Sequence, residues 1–187
     1  MTRDGSSGRI GRVTLGLFNM YDRRVMREPH RRAISRAGAL AAAFDANLAL
    51  FEFPLPQEVR TPQQLAAWAA ERTTIGQDAQ YFVEIAKKGR VAIVPEIKGG
   101  FPPQMGTAVA TTSKVRRGKE VAIAKLGQRV GNGESVLLVF GLGPHGLPDH
   151  VRKACAEDLD ITQRSYSLET ATAIGAVMAA LWYATRK

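Results

Sequence analysis

The stretch of sequence that decides the fold is VLLVFGLGPHGLP, residues 136–148. Its first five residues are apolar and uncharged, which is typical of a strand buried on both faces of a parallel sheet. The three glycines that follow, Gly141, Gly143 and Gly146, lack a Cβ and let the backbone come close to a flat or charged group. Open α/β sheets bind ligands where buried strands end in such turns. The stretch therefore predicts a ligand site at the carboxyl end of a buried parallel strand.

The same glycines have the spacing G-x-G-x-x-G, which is typical of dinucleotide-binding loops. In those loops a helix begins inside the glycine run, but here Pro144 and Pro148 would fall in its first turns. A nicotinamide or flavin site is therefore disfavoured. A tight glycine turn that binds nothing is a second alternative.

Outward from this stretch, strand and helix patterns alternate, which predicts an α/β fold of three layers around a mostly parallel sheet. Thr61 has a capping-box spacing to Gln64, and Pro62 follows it at the first helical position, so a helix begins there. Residues 1–11 are predicted to be a flexible tail, and residues 12–187 a single domain. The predicted strands are 13–18, 47–53, 91–94, 107–111, 136–140 and 158–161, and the last three predicted helices are 121–129, 149–156 and 168–184.

The composition excludes several classes of protein. The chain has 187 residues, 45% of them apolar, and no charge-free run of membrane-spanning length. The N-terminus is polar and lacks the apolar stretch of a signal peptide. One cysteine, Cys155, and three scattered histidines make neither a disulfide framework nor a convincing metal site. We therefore expect a cytoplasmic protein that binds no metal and no membrane.

Basic residues give the chain a formal net charge of +9, and many of them are clustered. Arginine suits phosphate groups because the guanidinium group binds phosphate through two parallel hydrogen bonds. A solvated basic face is the alternative for each cluster taken alone. Two clusters near the predicted ligand site favour a polyanionic partner, with RNA as the first candidate. The candidate RNA-binding residues are Arg23, Arg24, Arg27, Arg31, Arg32, Lys114, Arg116, Arg117 and Lys119.

The order of motifs in the C-terminal half resembles that of the SPOUT methyltransferases, and the resemblance covers most of the chain. The motifs are a strand, the turn G-x-G-P-x-G-L-P at 141–148, a helix, Leu159-Asp-Ile161, and Ser167-Leu168 before an alanine-rich helix. An archaeal branch of the superfamily is the most similar. The resemblance implies a deep C-terminal trefoil knot, a rare feature that no periodicity predicts. It also implies S-adenosylmethionine as the cofactor.

The resemblance further implies where the cofactor binds. In this superfamily backbone groups of three loops hold it, and here these loops are 110–114, 141–147 and 161–168. Ser167 is predicted as the N-cap of the last helix. For the first loop, a Ser/Thr turn bonded only to its own backbone is the alternative. The candidate cofactor-binding residues are Thr112, Ser113, Gly141, Leu142, Gly143, Gly146, Leu147, Ile161, Ser167 and Leu168.

Three residues are candidates for the catalytic side of the site. Arg36 is the best match to the arginine of the pattern N-x-G-x-x-x-R-x-A in ribose-methylating members, although the asparagine and glycine before it are absent. An arginine that merely covers the sheet edge is the alternative. Glu169 stands where the family has an asparagine, and the family's glutamate in the glycine turn is absent. Asn19, at the end of the first strand, is the third candidate.

Together these features predict an S-adenosylmethionine-dependent RNA methyltransferase that acts on tRNA or rRNA. The alternatives are a non-catalytic RNA-binding protein of the same fold and a small-molecule methyltransferase, which the positive charge disfavours. The last predicted helix is apolar on nearly all sides, which is more than one sheet face can cover. We therefore expect a homodimer that forms through this C-terminal helix.

Overall fold

Strands and helices alternate along the residues that the computed structural model describes, 9–143 and 145–186. The strands are β1 (Val13–Asn19), β2 (Asn47–Phe51), β3 (Val91–Val94), β4 (Thr107–Thr111), β5 (Val136–Leu142) and β6 (Glu157–Leu159). The helices are α1 (Glu28–Ala43), α2 (Pro62–Arg72), α3 (Gly76–Lys87), α4 (Ile123–Gly131), α5 (Asp149–Ala154) and α6 (Thr170–Thr185).

All six strands belong to one parallel sheet, in the order β3-β2-β1-β5-β4-β6. From β1 the chain adds β2 and β3 outward to one edge of the sheet. The strands β4, β5 and β6 then form the other half of the sheet, with β5 next to β1. The order therefore reverses between β1 and β5, which is where open α/β sheets form ligand crevices at their carboxyl edge. The predicted α/β fold with a parallel sheet is confirmed.

Strand β5 is buried on both faces, as its apolar run predicts. Leu138 and Phe140 belong to the larger core, to which α1, α3, α4 and α6 also contribute. Leu137 and Val139 point the opposite way, into a smaller core closed by α5 and the β3–β4 connection. Alternate side chains of a strand face opposite sides of the sheet, so a continuous apolar run fills both cores.

The last helix, α6, packs closely on α4. A Cβ added at Gly127 of α4 would overlap Ala184 of α6, so glycine is required where the two helices meet. Ile174, Val177 and Leu181 are at most 2% exposed and fix the buried face of α6. This packing positions the start of α6 beside the carboxyl end of β5.

Strand β6 lies between β4 and the end of the connection that leads from β4 to α4. On one side it pairs with β4, and on the other side Glu120 forms a parallel bridge with Asp158. The Val121 amide donates to the Asp158 carbonyl at 3.0 Å, and the Asp158 amide donates to the Lys119 carbonyl at 2.7 Å. The β4–α4 connection therefore passes from one side of β6 to the other.

Two predicted boundaries near the site are wrong. The sixth strand, predicted to reach residue 161, ends at Leu159 because the side chain of Asp160 folds the following loop back by hydrogen bonds. The last helix begins at Thr170 and not at residue 168, and its N-cap is Glu169, not Ser167. A carboxylate oxygen of Glu169 accepts a hydrogen bond from the Thr172 amide at 3.1 Å, which stabilises the first turn.

Residues 1–8 of the predicted tail, 1–11, lie outside the described residues. Pro144 and Lys187 also lie outside them. The Gly11 amide donates to the Val130 carbonyl at 2.8 Å, so the chain is attached to the fold from this residue. In the part of the chain described, the helices are too short or too polar to cross a membrane.

Candidate active site

A cavity of about 490 Å³ opens at the carboxyl ends of β4, β5 and β6, and we call it the main cavity. The loops that follow these three strands form its walls, and Ala173 and Val177 of α6 form part of its lining. Nine of the ten candidate cofactor-binding residues lie in this lining. These nine are Thr112, Ser113, Gly141, Gly143, Gly146, Leu147, Ile161, Ser167 and Leu168.

Leu142 is the exception among the ten. Its side chain is 2% exposed and lines a neighbouring cavity instead. Leu142 belongs to the larger core, and the cavity that it lines lies between α1 and α6.

The turn after β5 depends on its glycines. A Cβ at Gly141 would lie 2.5 Å from the Gly146 carbonyl carbon, so the two backbone segments can approach only without side chains. Gly146 has a φ of +68°, a left-handed conformation that favours glycine. The Gly141 carbonyl accepts a hydrogen bond from the Thr170 hydroxyl at 3.2 Å, which ties this turn to the start of α6.

The loop after β6 is held by the side chain of Asp160. The carboxylate of Asp160 accepts hydrogen bonds from the Thr162 amide at 2.9 Å, the Thr162 hydroxyl at 2.7 Å and the Ser165 amide at 2.8 Å. Burial alone would raise the pKa of Asp160, but these hydrogen bonds outweigh it and lower that pKa. Gln163 and Ser165 adopt left-handed φ values of +52° and +60°, which cost about 1–2 kcal/mol per residue. The hydrogen bonds offset this strain and fix the loop at the mouth of the main cavity.

A second cavity of about 280 Å³ lies on the other side of the start of α6, between α1 and α6. Arg36 and Glu169 both line it, together with Tyr21, Arg32 and Leu142. Thr170 lines both cavities, so the two share a wall. The structure thus brings two of the three catalytic candidates together, next to the main cavity.

The third catalytic candidate, Asn19, does not face either cavity. It is completely buried, and its amide nitrogen donates to the carbonyl oxygens of Glu52 at 3.1 Å and Asp22 at 3.4 Å. Its side-chain oxygen accepts from the Tyr21 amide at 3.0 Å. Asn19 was predicted as a substrate-facing residue, but its hydrogen bonds give it the role of supporting the loop after β1.

A residue that sequence reasoning missed, His30, supports the same loop. Its Nδ1 accepts from the Arg27 amide at 3.0 Å, and its Nε2 lies 3.1 Å from the Asp22 carbonyl, so Nε2 carries the proton. Burial lowers the pKa of His30, which favours this neutral form near pH 7. Its ring also contacts Tyr21 edge-on, so it holds one wall of the second cavity in place. Its only signal in the sequence is a histidine at the third position of the first helix.

Arg116 differs from the other RNA-binding candidates because its guanidinium group binds a buried carboxylate. Its guanidinium donates to both carboxylate oxygens of the fully buried Asp158, at 2.6 and 2.9 Å, and to the Cys155 carbonyl. Burial alone would raise the pKa of Asp158, but the hydrogen bonds from Arg116 outweigh it and lower that pKa. Arg116 therefore anchors the β4–α4 connection to β6 and is not free to bind RNA.

The remaining basic candidates divide into paired and unpaired side chains. Arg23, Arg27 and Arg31 form ion pairs with Glu52, Asp22 and Glu28, and Arg31 also lies over the ring of Trp68. Along the residues described, five candidates make no ion pair and are exposed. They are Arg24, Arg32, Lys114, Arg117 and Lys119.

The described residues contain no group of three or more His, Cys, Asp and Glu side chains that could hold a metal ion. Cys155 is buried next to Val151, and burial raises the pKa of its thiol to about 12. Its thiol therefore stays protonated at neutral pH and is a poor nucleophile.

Comparison with known proteins identifies relatives over nearly the whole chain. Residues 13–182 match the family described as "Protein of unknown function (DUF531)". The "Uncharacterized protein MJ0224" of Methanocaldococcus jannaschii is 35% identical over 178 residues, which cover 95% of this chain and 98% of that protein. An archaeal relative is therefore confirmed.

Several solved structures with a similar fold are described as methyltransferases. A probable methyltransferase from Bordetella pertussis Tohama I has a TM-score of 0.63 at 18% identity, and the match covers 94% of this chain and 96% of the methyltransferase. The TrmH/SpoU tRNA modifying enzyme of A. aeolicus has a TM-score of 0.54 at 13% identity, and the match covers 96% of this chain and 78% of the enzyme. An AdoMet-bound rRNA methyltransferase from Sinorhizobium meliloti has a TM-score of 0.52 at 19% identity, and the match covers 93% of this chain and 57% of the methyltransferase. The SPOUT resemblance is confirmed at the level of the fold.

Proposed function

We propose that this chain, which belongs to the family described as "Protein of unknown function (DUF531)", is an S-adenosylmethionine-dependent RNA methyltransferase. The observation that carries this proposal is the main cavity. It is built by three loops at the carboxyl edge of a parallel sheet, and it shares a wall with a cavity that contains Arg36 and Glu169. Neighbours with this fold are methyltransferases, and one of them is described as AdoMet-bound.

The main cavity suits an adenosyl group with an amino-acid tail. Its volume of about 490 Å³ lies within the usual range of small-molecule sites. The side chains of Leu147 and Ile161 would pack against a purine ring, and the glycine turn exposes backbone groups that would recognise its edge. Hydroxyl groups of Thr112, Ser113 and Ser167 line the same space. When bound, S-adenosylmethionine supplies the methyl group.

The second cavity would hold the acceptor nucleotide. Arg36 makes no ion pair with any residue described, so its guanidinium group is free to bind a phosphate or the acceptor oxygen. One carboxylate oxygen of Glu169 caps α6, which leaves the other to take the proton of the acceptor. Beyond this proton transfer, methyl transfer requires mainly correct in-line positioning.

RNA is the proposed substrate class, with tRNA or rRNA as the first candidates. Lys114 lines the main cavity, and Arg117 and Lys119 follow it in the same connection. Arg32 lines the second cavity, and Arg24 belongs to the loop after β1, whose Tyr21 also lines that cavity. These exposed cations would neutralise phosphates on both sides of the acceptor. We further propose a cytoplasmic location, because the single cysteine of the chain cannot form an internal disulfide bond.

We also propose that the C-terminal segment is knotted. Strand β6 lies between β4 and residues 119–121, which are two ends of one connection. The chain after β6 would then leave through the loop that this connection forms and continue into α6. The bidentate contact between Arg116 and Asp158 would hold that loop closed around the threaded strand.

A homodimer through α6 is a further part of the proposal. The outward face of this helix is exposed and carries small or apolar residues, including Ala176 and Tyr183, the latter 70% exposed. We expect light scattering to give twice the chain mass of 20.3 kDa. Ala176→Glu places a charge in this face and should produce monomers, whereas Ala67→Glu, on the exposed face of α2, should not. A wild-type monomer at micromolar concentration would reject the dimer.

The proposed activity is tested by incubating the protein with S-adenosylmethionine and total RNA from a strain that lacks the gene, followed by mass spectrometry of the nucleosides. We expect one additional methylated nucleoside. Arg36→Ala should lower its rate of formation by about a hundredfold or more, because a charged group that positions the acceptor is lost. Arg60→Ala removes an exposed arginine that lines neither cavity and serves as the control.

A non-catalytic RNA-binding protein is the second candidate, because the asparagine and glycine of the family pattern are absent before Arg36. Binding of both S-adenosylmethionine and RNA, with no methylated nucleoside formed, would support this second candidate and reject the enzyme. Methylation of small molecules only would reject the RNA substrate.

A further inference from the structure

An exposed aromatic side chain and a guanidinium group stand together at the mouth of the main cavity. Tyr166 lines this cavity and is 63% exposed, and the Arg164 guanidinium carbon lies 5.6 Å from the centre of its ring. Within the described residues, the Tyr166 hydroxyl has no hydrogen-bond partner and Arg164 has no ion pair. Neither side chain is needed for the packing of the fold.

The loop that presents these two side chains is fixed by hydrogen bonds of its own residues. The hydroxyl of Thr162 accepts hydrogen bonds from the Arg164 amide and from the Tyr166 amide, both at 3.2 Å. The same hydroxyl donates to Asp160, which also holds the Ser165 amide. Gln163 and Ser165 remain in left-handed conformations under these constraints. Strained backbone of this kind is typical of binding sites, because it aims side chains that would otherwise point elsewhere.

A flat ring beside a guanidinium group suits an unpaired nucleobase. Every base has a face that stacks on an aromatic ring, and arginine adds a cation–π contact and can reach the neighbouring phosphate. A paired base inside a duplex is already stacked on both faces and cannot reach the ring. The exposed cations Lys114 and Arg117 make the surroundings favourable for a phosphate backbone.

We propose that Tyr166 and Arg164 form a stacking platform for an unpaired base adjacent to the acceptor nucleotide, so that the substrate is single-stranded or loop RNA. This inference rests on the proposed function and specifies the form of its substrate. The platform lies at the mouth of the main cavity, so the stacked base would follow or precede the nucleotide that enters the second cavity.

The test measures the affinity of the protein for a fluorescent oligouridylate of about 20 nucleotides and for the duplex of this strand with oligoadenylate, at one fixed salt concentration. We expect tighter binding of the single strand. Tyr166→Ala should weaken that binding about fivefold or more, which corresponds to one stacked base. Tyr166→Phe keeps the ring and should retain wild-type affinity. Tyr81→Ala removes another exposed tyrosine, on α3, and should change nothing.

The outcomes separate this inference from the proposed function. If the wild type binds the single strand and Tyr166→Ala binds it equally well, the platform is rejected while the RNA methyltransferase stands. Equal or tighter binding of the duplex also rejects the platform. Unchanged RNA affinity in Tyr166→Ala, with weakened binding of S-adenosylmethionine, would show that the ring serves the methyl donor instead. Failure of the wild type to bind either RNA rejects both the inference and the RNA substrate.

Discussion

Arg116→Ala is expected to destabilise the protein by about 3–5 kcal/mol, whereas Arg117→Ala should change stability by less than about 0.5 kcal/mol. The side chain of Asp158 is fully buried, and Arg116 binds both of its carboxylate oxygens. Removing the guanidinium group leaves this buried carboxylate with the backbone amide of residue 116, at 2.7 Å, and with Arg152 as the nearest remaining cation, at 3.7 Å. Arg117 is exposed and makes no ion pair among the residues described, so it is a matched control.

Urea unfolding of the two variants measures this difference directly. Because the ion pair lowers the pKa of Asp158, its contribution to stability is present above the unfolded-state pKa of about 4 and is lost as the pH falls through the lower folded-state value. Equal stability of Arg116→Ala and the wild type at neutral pH would contradict the anchoring role.

The same pair of variants separates folding from RNA binding. Arg117→Ala should flatten the dependence of RNA affinity on salt, by roughly 0.7 in the log–log slope if one single-strand phosphate contact is lost. Arg116→Ala, studied at a temperature where it remains folded, should leave that slope unchanged. A slope that changes for Arg116→Ala and not for Arg117→Ala would show that Arg116, and not Arg117, contacts the RNA.

Ser167→Trp is expected to weaken binding of S-adenosylmethionine at least a hundredfold, or by about 2.7 kcal/mol. Ser167 is exposed on the loop before α6 and lines the main cavity, so an indole at this position would occupy the space of the ligand. Ser167→Ala removes only a hydroxyl and should change the affinity little. Calorimetric titration of both variants, with circular dichroism to confirm the fold, measures the effect. Wild-type affinity in a folded Ser167→Trp protein would contradict the placement of the ligand.

A valine at Gly143 is a less direct test of the same cavity. Gly143 has a φ of +145°, and a Cβ there would lie 3.1 Å from the Met20 Cβ. Lost binding in Gly143→Val would therefore reflect backbone strain as much as contact with the ligand. A substitution on an exposed loop avoids this difficulty.

The features that sequence reasoning predicted well are those that follow from local physics. The charge-free run of β5 could be buried only between two layers, and the glycines after it suited a turn with close backbone approach. The strand and the glycine turn followed from these patterns, whereas the other two loops of the cavity lining were implied by the SPOUT resemblance. The positions of three loops at one edge then follow from the parallel sheet.

The features that were missed depend on partners far away in the sequence or on one side-chain hydrogen bond. Arg116 lies among other basic residues, and its partner Asp158 is 42 positions away, so the two arginines at 116 and 117 looked equivalent. Asn19 stands at a strand end, where a polar side chain serves a ligand or a neighbouring loop equally well. Ser167 and Glu169 both have side chains that can cap a helix, and only the structure shows which one does.

The central claim is that the main cavity binds S-adenosylmethionine, and calorimetric titration of the wild-type protein with this compound tests it most directly. We expect saturable binding with one site per chain, lost in Ser167→Trp and retained in Ser167→Ala. A folded wild-type protein that releases or absorbs no heat and shows no shift in Tm at millimolar S-adenosylmethionine would contradict the claim.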